Sequence, residues 1–203
     1  MLAGRVVLVT GGGEGIGREV ASGLEDAGAV VAAAEGPLGS RADAERAFAD
    51  AAGPVGPVDA VVHALVDPDA LVSADLADTD EASWDRRCEG VLRTALWCCQ
   101  AAFVEFGDRG GRIVLVTPTV GLTGAAGLAP YATAVEGMRT LAKSAARQWG
   151  SHGIAVNCVA PRIDGAPDVR ADIAPVVAML LGDAAHIVTA ATVVVDGGLV
   201  MAP

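Results

Sequence analysis

Aromatic side chains are scarce in this 203-residue sequence: three Trp, three Phe and one Tyr, 3% in all. Yet 52% of the residues are hydrophobic, so a core must be filled by Ala, Val, Leu and Ile, the palette of parallel strands under closely packed helices. Basic residues are also few, 14 against 25 acidic ones for a formal charge of -11. Phosphate-backbone contacts need clustered Lys and Arg, which excludes nucleic acid as a partner. Cys88, Cys98, Cys99 and Cys158 show no CxxC or Cys/His metal spacing, and Met1 to Gly4 runs straight into a strand without a signal-type stretch. Reduced packing thiols in a cytoplasmic protein, with no metal site, are therefore expected. Gly, Pro or charge interrupts every apolar stretch before about 18 residues, so no membrane span is expected. The length suits one domain over residues 1–203.

What is present is an alternation of two periodicities. Val6 to Val9 is a β-branched run that ends at Thr10-Gly11, and Ile16, Val20, Gly23, Leu24 and Ala27 then follow at helical spacing. Further strands are expected at Val30 to Ala34, Ala60 to Ala64, Arg112 to Thr117, Ile154 to Val159 and Thr192 to Val195. Helices are expected at about Arg41 to Ala52, Glu81 to Phe106, Pro130 to Trp149 and Asp172 to Leu181, the first of these stopped by Gly53-Pro54-Val55-Gly56-Pro57. Such alternation implies an α/β fold of the Rossmann-like type: a doubly wound parallel sheet of six strands with helices on both faces and ligands at the strands' carboxyl ends. The second half of the helix over 81–106 has almost no polar face, from Val91 through Leu96, Trp97 and Phe103 to Phe106. One side can pack on the sheet, and a partner subunit or the neighbouring helix must cover the other.

The loop Thr10-Gly11-Gly12-Gly13-Glu14-Gly15-Ile16-Gly17 joins the first strand to the first helix. Glycine serves there in the sharp turn, in the approach to a pyrophosphate and in helix–strand packing, and the helix N-terminus offers free amides. Gly11, Gly15, Ile16 and Gly17 are thus candidate dinucleotide contacts, with a tight turn that holds no ligand as the alternative. Glu35 ends the second strand where a carboxylate can accept from an adenosine ribose and would repel a 2′-phosphate, which favours NAD(H) over NADP(H); an exposed helix-cap role is the alternative. Glu14 sits in the loop near the pyrophosphate position and opposes tight binding. His63 ends a strand on the ligand edge and is a candidate cofactor or partner contact.

TGGGEGIG at Thr10 to Gly17, DAVVHA at Asp59 to Ala64, SWDRR at Ser83 to Arg87, GRIVLVT at Gly111 to Thr117, Tyr131, IAVNCVAP at Ile154 to Pro161 and VVVDGG at Val193 to Gly198 together resemble the short-chain dehydrogenase/reductase family, in the style of its ketoacyl reductases. The resemblance spans essentially the whole chain. It implies a catalytic Asn, Ser, Tyr and Lys, of which only Tyr131 is present. The other three positions hold Val91, Pro118 and Val135, and the family's Asn-Asn-Ala-Gly aligns with His63-Ala64-Leu65-Val66. The family has helix, strand and helix where this chain has room for one helix between Glu35 and Asp59, so one strand fewer than usual is expected.

An unperturbed tyrosine has a pKa of about 10, and bringing it about 3 units nearer neutrality takes roughly 4 kcal/mol of preferential phenolate stabilisation. A lysine one turn away would supply positive charge, and Val135 supplies none. Tyr131 is therefore either a residual catalytic group or a packing residue. The leading expectation is a non-catalytic subunit that pairs with a catalytically competent paralogue, or with itself, through the helices 81–106 and 130–149 and the C-terminal strand. On that expectation NAD(H) binding is weakened or lost. The alternatives are a weakly active NAD(H)-dependent oxidoreductase acting on a carbonyl or acyl thioester, and an NAD(H)-binding regulatory module.

Overall fold

The structure, a computed structural model, describes residues 2–34, 38–163 and 173–201. Strands β1 (Val6–Thr10), β2 (Val30–Ala34), β3 (Ala60–His63), β4 (Gly111–Val116), β5 (Ile154–Pro161) and β6 (Thr192–Val195) form one sheet in the order β2-β1-β3-β4-β5-β6. All five pairings are parallel. The helices are α1 (Gly15–Asp26), α2 (Arg41–Val55), α3 (Glu81–Trp84), α4 (Val91–Phe106), α5 (Val120–Thr123), α6 (Ala129–Trp149) and α7 (Ile173–Leu181). Six strands in this all-parallel order, with helices on both faces, match the expected architecture.

Alternation along each strand divides the core in two. Val6, Leu8, Val61, Ile113 and Cys158 face Phe48 of α2, Ala95 and Phe106 of α4 and Met138 of α6. Val7, Val9, Val62, Val114 and Val159 face Val20 and Leu24 of α1 and Val177 and Leu181 of α7. Because both faces are covered, the central strands read as unbroken apolar runs rather than as alternating ones. Small residues let the helices approach closely: a Cβ on Gly23 of α1 would lie 2.4 Å from the Ala174 Cβ of α7.

Local chemistry sets the helix ends. The Ser40 hydroxyl accepts from the Asp43 amide at 3.2 Å to start α2, and Pro130 in the first turn of α6 spends no needed amide. α2 runs past the expected stop at Gly53-Pro54 as far as Val55, because Pro54 falls in the last turn and Gly56 N–H still closes on Ala52 O at 2.8 Å. The helix expected over 81–106 is continuous but not uniform: a π-helical turn at Asp85–Gly90 links α3 to α4. An extra residue in that turn rotates the following side chains relative to a regular helix.

Among the described residues α2 is the one helix between β2 and β3, and β2 is an edge of the sheet, with Val30 39% exposed. Among the described residues no helix is long and apolar enough to cross a membrane.

Candidate functional site

The loop between β1 and α1 is shaped by contacts that admit no side chain. Gly11 takes φ +74, and a Cβ there would stand 2.8 Å from Leu65 Cα; a Cβ on Gly17 would stand 2.0 Å from Gly11 O. Gly15, by contrast, has open space where a Cβ would go. The Ile16 side chain is buried in the core beneath α1, which leaves its amide as the group available to a ligand. The exposed Arg18 donates from Nε to Gly13 O at 3.0 Å and braces the loop from outside. Glu14, at the N-cap of α1, makes no capping bond with its side chain, so the first-turn amides of α1 are not consumed by it.

A cleft of about 780 Å³ opens from this loop toward α4. Gly11, Gly13 and Glu14 form one wall and Leu38 and Gly39 another. Leu65, Val66 and Asp67 form the floor after β3, and Arg86, Arg93 and Trp97 the far side. The three far-side residues come from the π turn and from α4. Sequence reasoning missed them; Arg86 and Arg93, placed among both charged and apolar residues of the long helix, carry no spacing that would have marked them.

Tyr131 lies elsewhere. It is 2% exposed and belongs to the apolar cluster that also holds Val91 and Val135, at 8% and 1%. Burial pushes its phenol pKa well above the usual 10, with no charged neighbour acting against it. Val135, one helical turn on, places its Cγ2 where a Cβ on Gly121 would go, 2.6 Å from it, and the Gly121 amide is bonded to Pro118 O at 3.3 Å. The structure thus gathers Tyr131, Val91 and Val135 beside the turn that begins at Pro118, and all four are buried. The chain's single lysine, Lys143, is exposed about two turns further along α6.

His63 is 1% exposed, with Nδ1 2.8 Å from the Thr10 hydroxyl and Nε2 without a partner. Burial lowers its pKa to about 4, so the ring is neutral. It does not line the cleft. Glu35 lies outside the described residues. The four cysteines are free and buried, and no cluster of three metal-ligating side chains occurs among the described residues.

A family model described as enoyl-(acyl carrier protein) reductase matches residues 37–165. Hydroxyacyl-CoA dehydrogenase of Mycobacterium tuberculosis is 31% identical, the alignment covering 84% of this chain and 67% of that protein. Cis-4-hydroxycyclohexanecarboxylate dehydrogenase of Sinomonas cyclohexanicum is 32% identical over 97% of this chain and 96% of its own length. The chain belongs to the short-chain dehydrogenase/reductase family. A solved short-chain dehydrogenase/reductase structure from Mycobacterium ulcerans shares the fold with a TM-score of 0.87, at 22% identity, over 97% of this chain and 90% of that one.

Membership in this family of oxidoreductases implies NAD(P) binding in general. The Gly-rich loop and the cleft beside it stand where the sheet's carboxyl edge holds such ligands in doubly wound folds. The loop needs its glycines at Gly11 and Gly17 for close packing, and Gly15 leaves the approach open, so these residues fit a phosphate-bearing cofactor. When bound, a nicotinamide cofactor supplies or accepts hydride.

Proposed function

We propose that this short-chain dehydrogenase/reductase chain is a non-catalytic subunit that supports a catalytically competent relative by assembling with it. One observation carries the reading: Tyr131 is enclosed in an apolar cluster whose member at the lysine position is Val135. A phenol raised by burial is a weaker acid near neutral pH, and neither the Val91 nor the Pro118 side chain can hold a water or polarise a carbonyl. Cofactor binding is weakened on this reading, because the Glu14 carboxylate stands at the cleft beside the phosphate loop. The outward face of α4 supports association: Val104 is 63% and Leu96 37% exposed, next to half-buried Trp97 and Phe103. Met179, Leu199 and Met201 add apolar surface around the C-terminal strand.

The names of the relatives favour a second reading, an NAD(H)-dependent oxidoreductase of low activity acting on a carbonyl or acyl thioester through Tyr131. Co-expression with a relative that carries the full Asn, Ser, Tyr and Lys set separates the two. Size-exclusion chromatography with light scattering is expected to show a mixed oligomer, and Val104→Glu to weaken it by about tenfold or more. A strict homo-oligomer whose isolated turnover disappears in Tyr131→Phe would replace the first reading with the second.

A further inference from the structure

β2 ends the sheet, and among the described residues no strand lies beyond it. Its pairing with β1 runs in unbroken parallel register, from Val6 opposite Val30 to Thr10 opposite Ala34, without a bulge. Val30 N–H donates to Arg5 O at 2.8 Å and Ala34 O accepts from Gly11 N–H at 3.1 Å, so Val30, Ala32 and Ala34 turn their amides and carbonyls toward β1. By strand alternation Val31 and Ala33 turn theirs outward, away from the sheet. Edge strands are ordinarily blunted by a Lys, a Pro, a bulge or a covering element. Val30-Val31-Ala32-Ala33-Ala34 carries no charge and no Pro, and Val30 and Ala33 are exposed.

The surface beside this edge is complementary to itself in charge. α1 packs over β1 and β2, and α7 packs over β4 and β5 on the same face of the sheet, so the side of α1 turned from α7 overhangs the edge. Gly23 marks the α7 side, where a Cβ would meet Ala174. Arg18 and Glu25 fall about 140° and 160° around the helix from Gly23, and both are exposed. α1 begins near the Ala34 end of β2 and returns to the Val30 end, where Ala29 N–H closes on Leu24 O at 3.0 Å. Its midpoint, between Arg18 and Glu25, therefore stands level with Ala32. A two-fold axis through Ala32 sets α1 antiparallel to its mate, with Arg18 of each copy opposite Glu25 of the other. Arg18 spends Nε on Gly13 O, and its terminal nitrogens are separate donors. The same axis pairs Val31 of each copy with Ala33 of the other, a β-branched side chain against a methyl, and the two exchange their outward amide and carbonyl bonds.

We propose that two copies of this chain pair antiparallel through β2, about a two-fold axis at Ala32, and so join their sheets into one. The contact uses the opposite edge of the sheet from β6 and no part of α4, so it stands or falls separately from the assembly proposed above. One short strand and one helix from each copy make a small interface, and light scattering on the full chain is expected to show a dimer with a Kd in the range of about 1 to 100 µM. Ala33→Pro removes an outward amide while leaving the bonds to β1 in place, and is expected to weaken the dimer by about tenfold or more. Arg18→Glu and Glu25→Arg are each expected to weaken it by about tenfold, with circular dichroism melts showing both variants folded. An equimolar mixture of those two variants is expected to regain the dimer, since each reversed charge then meets an opposite one. The α1 variants carry the test if Ala33→Pro does not fold. A parent that stays monomeric at about 100 µM, whether or not a relative's strand then occupies the edge, would overturn the proposal. So would a dimer that all three variants leave intact, a mixture no tighter than its components, or a dimer lost in Val104→Glu.

Discussion

His63 is held with Thr10 on one ring nitrogen and nothing on the other, and its lowered pKa of about 4 has a thermodynamic consequence. Between about pH 6.5 and 4 the unfolded chain takes up a proton on this ring and the native chain does not, so stability falls as pH falls through that window. The loss amounts to roughly 3 kcal/mol by pH 4. Urea midpoints measured from pH 7 to 4 should therefore decline more steeply for the parent than for His63→Asn, and parallel curves would refute the assignment. At Tyr131 the absence of lysine was legible because one turn of helix brings i and i+4 together whatever the tertiary fold. The burial of its phenol was not legible, because it depends on how α4, which is distant in the chain, and the turn and short helix just before α6 fold over it.

Among the elements, the first turn of α1 separates two glycines that look alike in sequence. Gly17 faces Gly11 O at 2.0 Å from a would-be Cβ, whereas Gly15 faces open space at φ +52. Gly17→Val should abolish cooperative folding, since the clash is with backbone that cannot repack. Gly15→Val should stay folded at a cost of about 1–2 kcal/mol for its left-handed backbone. Circular dichroism melts will distinguish them, and comparable melting would refute the contact. Only the Gly15 variant can then report on ligand binding without confounding it with folding. The apolar pattern over 81–106 was legible as a helix with one side on the sheet, but the π turn at Asp85–Gly90 was not. A single inserted residue leaves composition and spacing nearly unchanged, so no sequence pattern marks it.

The molecule as a whole buries groups that want to stay protonated. Burial raises Cys99 to about 12 and Cys158 to about 11, and raises Cys98 and Tyr131 as well. Above about pH 9 the unfolded chain releases these protons and the native chain keeps them, so stability is lost as pH rises toward 11. Denaturation midpoints should drop by an amount equivalent to several kcal/mol between pH 8.5 and 11; a flat profile would refute burial of the thiols. The shortened β2–α2–β3 connection acts at the same scale, since it leaves β2 as the sheet edge and lets α2 pack on the α4 side. Strand and helix alternation, the number of strands, the Gly-rich loop and the missing lysine were determined by the sequence alone, because periodicity and short motifs are written in residues that are near one another along the chain. Tertiary structure alone decided that Thr10 bonds His63, that Tyr131 joins the buried cluster holding Val91, and that two arginines of the long helix line the same cleft as Gly13 and Glu14, because each of these joins residues that only the parallel sheet and its crossovers bring together.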